Sequence, residues 1–164
     1  MGAEKFNLKQ ISRKSDTLFI LGCGSSINNI SESQWKLISE NDSIGVNYFY
    51  VHPFKPNFHM IELGQSKLSM DCLNKFLLAK ADRKNERVLV QIRHLLMRNK
   101  VYLKNDHNNL RFYSPSVPKS RSESVLQVLL QKFYRKCQLI HHASNLDCAI
   151  HLGFLLGYDK VVLL

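Results

Sequence analysis

The apolar run Thr17–Leu21 stops at Gly22-Cys23-Gly24-Ser25-Ser26. Two glycines let a backbone turn sharply and approach a ligand with no Cβ in the way. The backbone N–H groups of such a turn, together with two serine hydroxyls, suit a phosphate near a helix N-terminus. The three-glycine dinucleotide fingerprint is not completed, because Ile27 stands at its third position. The lysine and serine of a P-loop are also missing. The segment therefore reads either as a site for a phosphorylated ligand or as a plain tight turn.

Other groups that could do chemistry are scattered. Glu62 ends an apolar stretch, where a carboxylate can bind a ribose or serve as a base. His141-His142 could protonate a leaving phosphate. His142 and Asp147 are five residues apart, which is poor geometry on one helix face. Tyr102 and Tyr113 could stabilise a leaving phosphate by donated hydrogen bonds. The chain has neither a D-x-D nor an HExxH, and Cys23, Cys72, Cys137 and Cys148 show no CxxC spacing. Metal-free chemistry with reduced thiols is the expectation.

These groups need a scaffold. Thr17–Leu21, Ser43–Asn47, Phe58–Leu63, Val88–Ile92 and Lys160–Leu164 read as strands, and Val101–Leu103 and Leu110–Tyr113 as short extended pieces. Helices are expected from Ser31, whose S-x-x-Q is a capping box, over Ser66–Ala81 and Ser124–Lys136, and over Asn145–Leu156 with Gly157 closing the last. Ser120 and Glu123 form a further capping box. Strands alternating with helices predict one α/β domain over 1–164, an open, mostly parallel, Rossmann-like (GT-A-like) sheet. Ligands of such sheets bind beyond the carboxyl ends of the strands. That edge collects the 22–26 turn, Asn47 and Glu62. Residues 104–123 are polar and irregular, as a mobile loop would be.

The net charge is +10, which favours an anionic partner. Lys80, Arg83, Lys84 and Arg87 form one basic group, and Arg93, Arg98, Lys100 and Lys104 another. They do not interleave with aromatics as a single-strand nucleic-acid platform does, so nucleic acid is not the expected partner. Peripheral contact with an acidic lipid face fits them better. The first residues lack the apolar core of a signal peptide, and no apolar stretch approaches the ~20 residues of a membrane span. A cytoplasmic place, peripheral to the inner membrane, is expected.

Three separated pieces in this order resemble a known family: "LFILGCGSSINNIS", "DSIGVNYFYVHPFKPNFHMIE" and "SNLDCAIHLGFLLGYDKVVLL". The chain resembles bacterial sialyltransferases of glycosyltransferase family 42 and the related motility-associated flagellin glycosyltransferases. The resemblance covers both ends of the chain and not residues 64 to 135. It implies transfer of a nonulosonic acid from a CMP-activated donor to a surface glycan, lipooligosaccharide or other lipid-linked acceptor, without a metal or other cofactor. It further implies that Gly22, Cys23, Gly24, Ser25 and Ser26 lie against phosphate and ribose, that Asn47 bonds the nucleotide or sugar, and that Ser144 and Asn145 face the cytidine or phosphate. Two departures stand out. Cys23 replaces an amide residue and Ser25 a proline. The family's general base, a histidine beyond the last strand, would lie past Leu164. The expectation is a chain incomplete at its C-terminus, with His142 and Tyr113 as weak internal substitutes. Alternatives are a non-catalytic nucleotide- or anion-binding interaction domain and an ATP-using pyrophosphokinase relative. The oligomeric state is open, a homo-oligomer included.

Overall fold

The computed structural model describes residues 8, 11–62, 68, 71, 72, 74–76, 87–91, 110–117 and 139–164. Of the loop expected over 104–123, residues 110–117 are described, and Leu110–Tyr113 of them form a strand. The helix Ser124–Lys136, the capping box at Ser120, the extended piece Val101–Leu103, Tyr102, Cys137 and every basic residue named above except Arg87 lie outside the described residues. Of the helix expected over Ser66–Ala81, residues 68, 71, 72 and 74–76 are described, and they are helical.

Six strands form one sheet: β1 (Thr17–Leu21), β2 (Asp42–Val46), β3 (Phe58–Glu62), β4 (Arg87–Gln91), β5 (Leu110–Tyr113) and β6 (Lys160–Leu163). Their order is β5-β4-β3-β2-β1-β6, and every neighbouring pair is parallel. This is an open α/β sheet of Rossmann-like type. Leu110–Tyr113 is a full member of it, paired with Val88–Gln91, and more than a short extended piece. The order reverses at β1. From there β2 to β5 run outward on one side, and β6 returns to the other.

Parallel strands covered on both faces bury nearly every side chain. In β1, Leu18 and Ile20 face one core, with Ile44, Val46, Met60 and Leu89. Cys148, Ala149 and Leu152 of helix α2 (Asn145–Leu155) cover that face. Phe19 and Leu21 face the other, with Ile38 of helix α1 (Glu32–Glu40), Ile27 and Phe49. Ser31 caps α1 through the expected box. Its side chain accepts from the Gln34 N–H, and the Gln34 side chain accepts from the Ser31 N–H at 2.8 Å. Gly157 follows α2 in the left-handed region, φ +73°, as a C′ glycine does.

Two features fix the layers closely. Gly45 lies under Phe49 and His59, where a Cβ would sit 2.6 Å from Phe49 Cδ1 and 2.7 Å from His59 Nε2. His151 of α2, 4% exposed, accepts the Ile140 N–H on Nδ1 at 3.0 Å and so ties the helix to the segment before it. Burial lowers its pKa below the ordinary 6.5.

Gly45→Ala should destabilise the chain by about 1–3 kcal/mol in urea unfolding, because the methyl group overpacks an aromatic layer. For His151 the unfolded state takes up the proton first. Stability should therefore fall as pH drops below 6.5 and level off once the folded imidazole also titrates. Comparison of wild type and His151→Gln unfolding between pH 7.5 and 5 checks this. The glutamine variant should lose less stability over that window.

Candidate functional site

The carboxyl edge of the sheet gathers the polar groups. Leu21 and Gly45 are register partners, so the 22–26 turn and Asn47 leave adjacent strands together. Asn47 does not end β2. It opens a short 3-10 helix, Asn47–Val51, with φ +51°. Among non-glycine residues asparagine tolerates this left-handed conformation best, and such backbone strain gathers at functional sites.

The Asn47 side chain is held as well. Its Oδ1 accepts the Glu62 N–H at 3.0 Å and an N–H of Asn145 Nδ2 at 3.1 Å. Two donors on one oxygen fix which way the amide faces. Its Nδ2 has no hydrogen-bond partner among the described residues, and the residue is half-buried at the edge. The result is an oriented, unpaired donor.

Asn145, the first residue of α2, is 0% exposed and spends its whole carboxamide internally. Nδ2 donates to Asn47 Oδ1 and to Met60 O at 2.8 Å. Oδ1 accepts from Tyr113 OH and from Gln91 Nε2 at 3.4 Å. Gln91 ends β4 and Tyr113 ends β5. Burial raises the pKa of Tyr113 well above 10, so its hydroxyl stays protonated and donates. Gln91 Oε1 is a buried acceptor with no partner among the described residues.

The approach to α2 is set by Asp147. Its Oδ2 accepts the N–H groups of His142 (3.2 Å), Ala143 (2.6 Å) and Ser144 (2.8 Å). Ser144 caps the helix, accepting from Leu146 N–H. His142 and Asp147 thus meet through the backbone and not through the imidazole. On the same edge His141 Nε2 lies 3.3 Å from Glu62 Oε2.

The glycine turn is exposed over residues 23–26. Gly22 donates its N–H to Leu164 O at 2.9 Å, and a Cβ there would meet that oxygen at 3.2 Å. Gly24 differs. Its backbone is ordinary, φ −74° and ψ 159°, and among the described residues a Cβ would meet only Ser26 Oγ, at 3.6 Å. Among the described residues nothing requires glycine at 24.

The structure therefore brings Asn47, Glu62, Ser144 and Asn145 together on the edge that carries residues 22–26. Gln91, His141 and Asp147 join them. Sequence reasoning passed over Gln91, yet a polar side chain ending an apolar strand is a readable sign. Among the described residues no group of three or more His, Cys, Asp or Glu could hold a metal ion, and no helix is long and apolar enough to cross a membrane. At the opposite, amino edge, a cleft of about 190 Å³ is lined by Arg13, Lys14, Asp42 and Arg87. There Asp42 Oδ2 accepts the N–H groups of Lys14 and Ser15. No family model, curated protein or solved structure matches the chain.

The Asn145→Asp variant keeps the acceptor for Tyr113 and Gln91 but turns an oxygen toward Met60 O and Asn47 Oδ1. It should lose about 3 kcal/mol or more of stability at neutral pH. Relative to wild type at the same pH, part of the loss should return at pH 5, where a protonated carboxyl can donate. Urea unfolding at both pH values measures it.

Proposed function

We propose that the chain binds a CMP-activated nonulosonic acid at the carboxyl edge and transfers the sugar to a glycan or lipid-linked hydroxyl. The observation that carries this reading is the oriented Asn47 amide beside the 22–26 turn, where the strand order reverses. Ligands of open α/β sheets bind at such switch points. Gly24, whose side-chain space the fold leaves open, lets the phosphate approach the backbone. Ser25 and Ser26 offer hydroxyls to the same group, and Asn47 Nδ2 offers a donor to the nucleotide or sugar. Asn145 acts one layer behind, as the residue that aims Asn47. The net charge of +10 favours a donor carrying both a phosphate and a carboxylate. In the transfer, an acceptor oxygen attacks the anomeric carbon and CMP departs with the bonding electrons. Backbone and hydroxyl donors stabilise the leaving phosphate.

A thermal-shift series with CMP, CTP, UDP, GDP, ATP and NAD tests the reading. Cytidine nucleotides alone should stabilise the chain, by about 2.7 kcal/mol at 100 times the dissociation constant. Gly24→Val should unfold like wild type without ligand, since the backbone and the neighbouring space accept a side chain, and should lose the response to CMP. Stabilisation by ATP alone would move the reading to a phosphate-transferring enzyme. No response to any nucleotide would leave a non-catalytic interaction domain.

A further inference from the structure

We propose that Glu62 is the proton acceptor of the transfer and that His141 is its positioning residue. The inference rests on the donor-transfer reading above. Glu62 ends β3 on the ligand edge, and its Oε2 lies 3.3 Å from His141 Nε2. The Glu62 side chain is 21% exposed and that of His141 4%. The carboxylate is the more open member of the pair, and the imidazole is the buried one.

Both members are anchored. Glu62 N–H donates to Asn47 Oδ1, so the carboxylate leaves the same frame that orients the Asn47 amide. His141 N–H donates to Ser116 O at 2.9 Å, and Ser116 N–H donates to Leu139 O at 2.8 Å. These bonds tie the segment just before α2 to the stretch that follows β5. An imidazole N–H donating to Oε2 holds the carboxylate in one orientation and keeps its charge from turning inward. A histidine–carboxylate pair is a common proton-handling unit. Here the exposures reverse the usual order, with the acid outermost.

The step balances without a further reactant. The acceptor, a sugar hydroxyl or water, gives its proton to the Glu62 carboxylate as its oxygen bonds to the anomeric carbon. The bond from that carbon to the phosphate oxygen breaks, and CMP leaves with the electron pair. The proton on Glu62 then passes to solvent.

The test uses the full chain and CMP-sialic acid, reading CMP release to water and to an added sugar acceptor, with CMP-induced thermal stabilisation measured in parallel. Glu62→Gln should lower kcat by about 100-fold or more, with KM and the CMP response unchanged. Glu62→Asp should recover part of the rate. His141→Gln should lower kcat without moving KM, and the double variant should be no slower than Glu62→Gln, as expected of groups that act as a unit. Three results would overturn the assignment: turnover at the wild-type rate in both single variants, loss of rate together with loss of the CMP response, or a wild-type chain that is stabilised by CMP yet releases none from the donor. A wild-type chain indifferent to CMP would instead overturn the donor-binding reading beneath it.

Discussion

One carboxamide ties the ends of four strands. Asn145 bonds Met60 of β3, the Asn47 that follows β2, Gln91 of β4 and Tyr113 of β5, and it does so from the first turn of α2. Each buried amide atom must find a partner or lose its hydration without return. Asparagine satisfies the point because it carries two donors and an acceptor of two bonds on one short arm. An apolar residue there would strand a tyrosine hydroxyl, a glutamine amide and a main-chain carbonyl. The orientation of the Asn47 amide follows from this bond set, which adds a polar anchor to the apolar packing of α2 through Cys148, Ala149 and Leu152. The edge is rigid where it is buried and offers its unpaired donor only at the rim.

Local features were legible in the sequence. The capping box at Ser31, the C′ glycine at 157 and the apolar β1 each depend on neighbours within a few residues, and the structure places them as expected. The alternation of elements implies a mostly parallel sheet, and every described strand pair is parallel. Asn47 was read as the last residue of a strand, because β-rich neighbours hide a change of backbone sign. The bonds that hold the side chain in that conformation come from Glu62 and from Asn145, 15 and 98 residues away. β5 was underestimated for a similar reason. Arg111 interrupts its apolar run, and pairing with β4 decides what spacing alone cannot.

The candidate site divides the same way. The glycine turn and Glu62 stand out by residue type. The partner of Glu62 is 79 residues distant and does not. The five-residue spacing of His142 and Asp147 hides the role of Asp147. Its carboxylate in fact organises three successive main-chain N–H groups, an arrangement set by the backbone between 142 and 147 and not by any face of a helix. Charge belongs to a third category. It is visible in the composition, but most of the basic residues lie outside the described part; of those described, Arg13, Lys14 and Arg87 gather at the amino edge.

The last strand has a bearing on the glycine turn that its position at the sheet margin disguises. Gly22 N–H bonds Leu164 O, and Leu164 N–H bonds Ile20 O at 3.0 Å. The turn is therefore clamped on the side of β6, the edge strand, whose residues are largely accessible. Exposed segments with few buried contacts open locally at less cost than the core strands. Fraying of β6 and loosening of the turn are then one event seen from two ends. Whatever occupies the turn must, by thermodynamic reciprocity, quiet the margin of the sheet to the same degree. Amide protection at Leu164, which bonds the first glycine of the turn, becomes a reporter of occupancy at the turn's exposed residues.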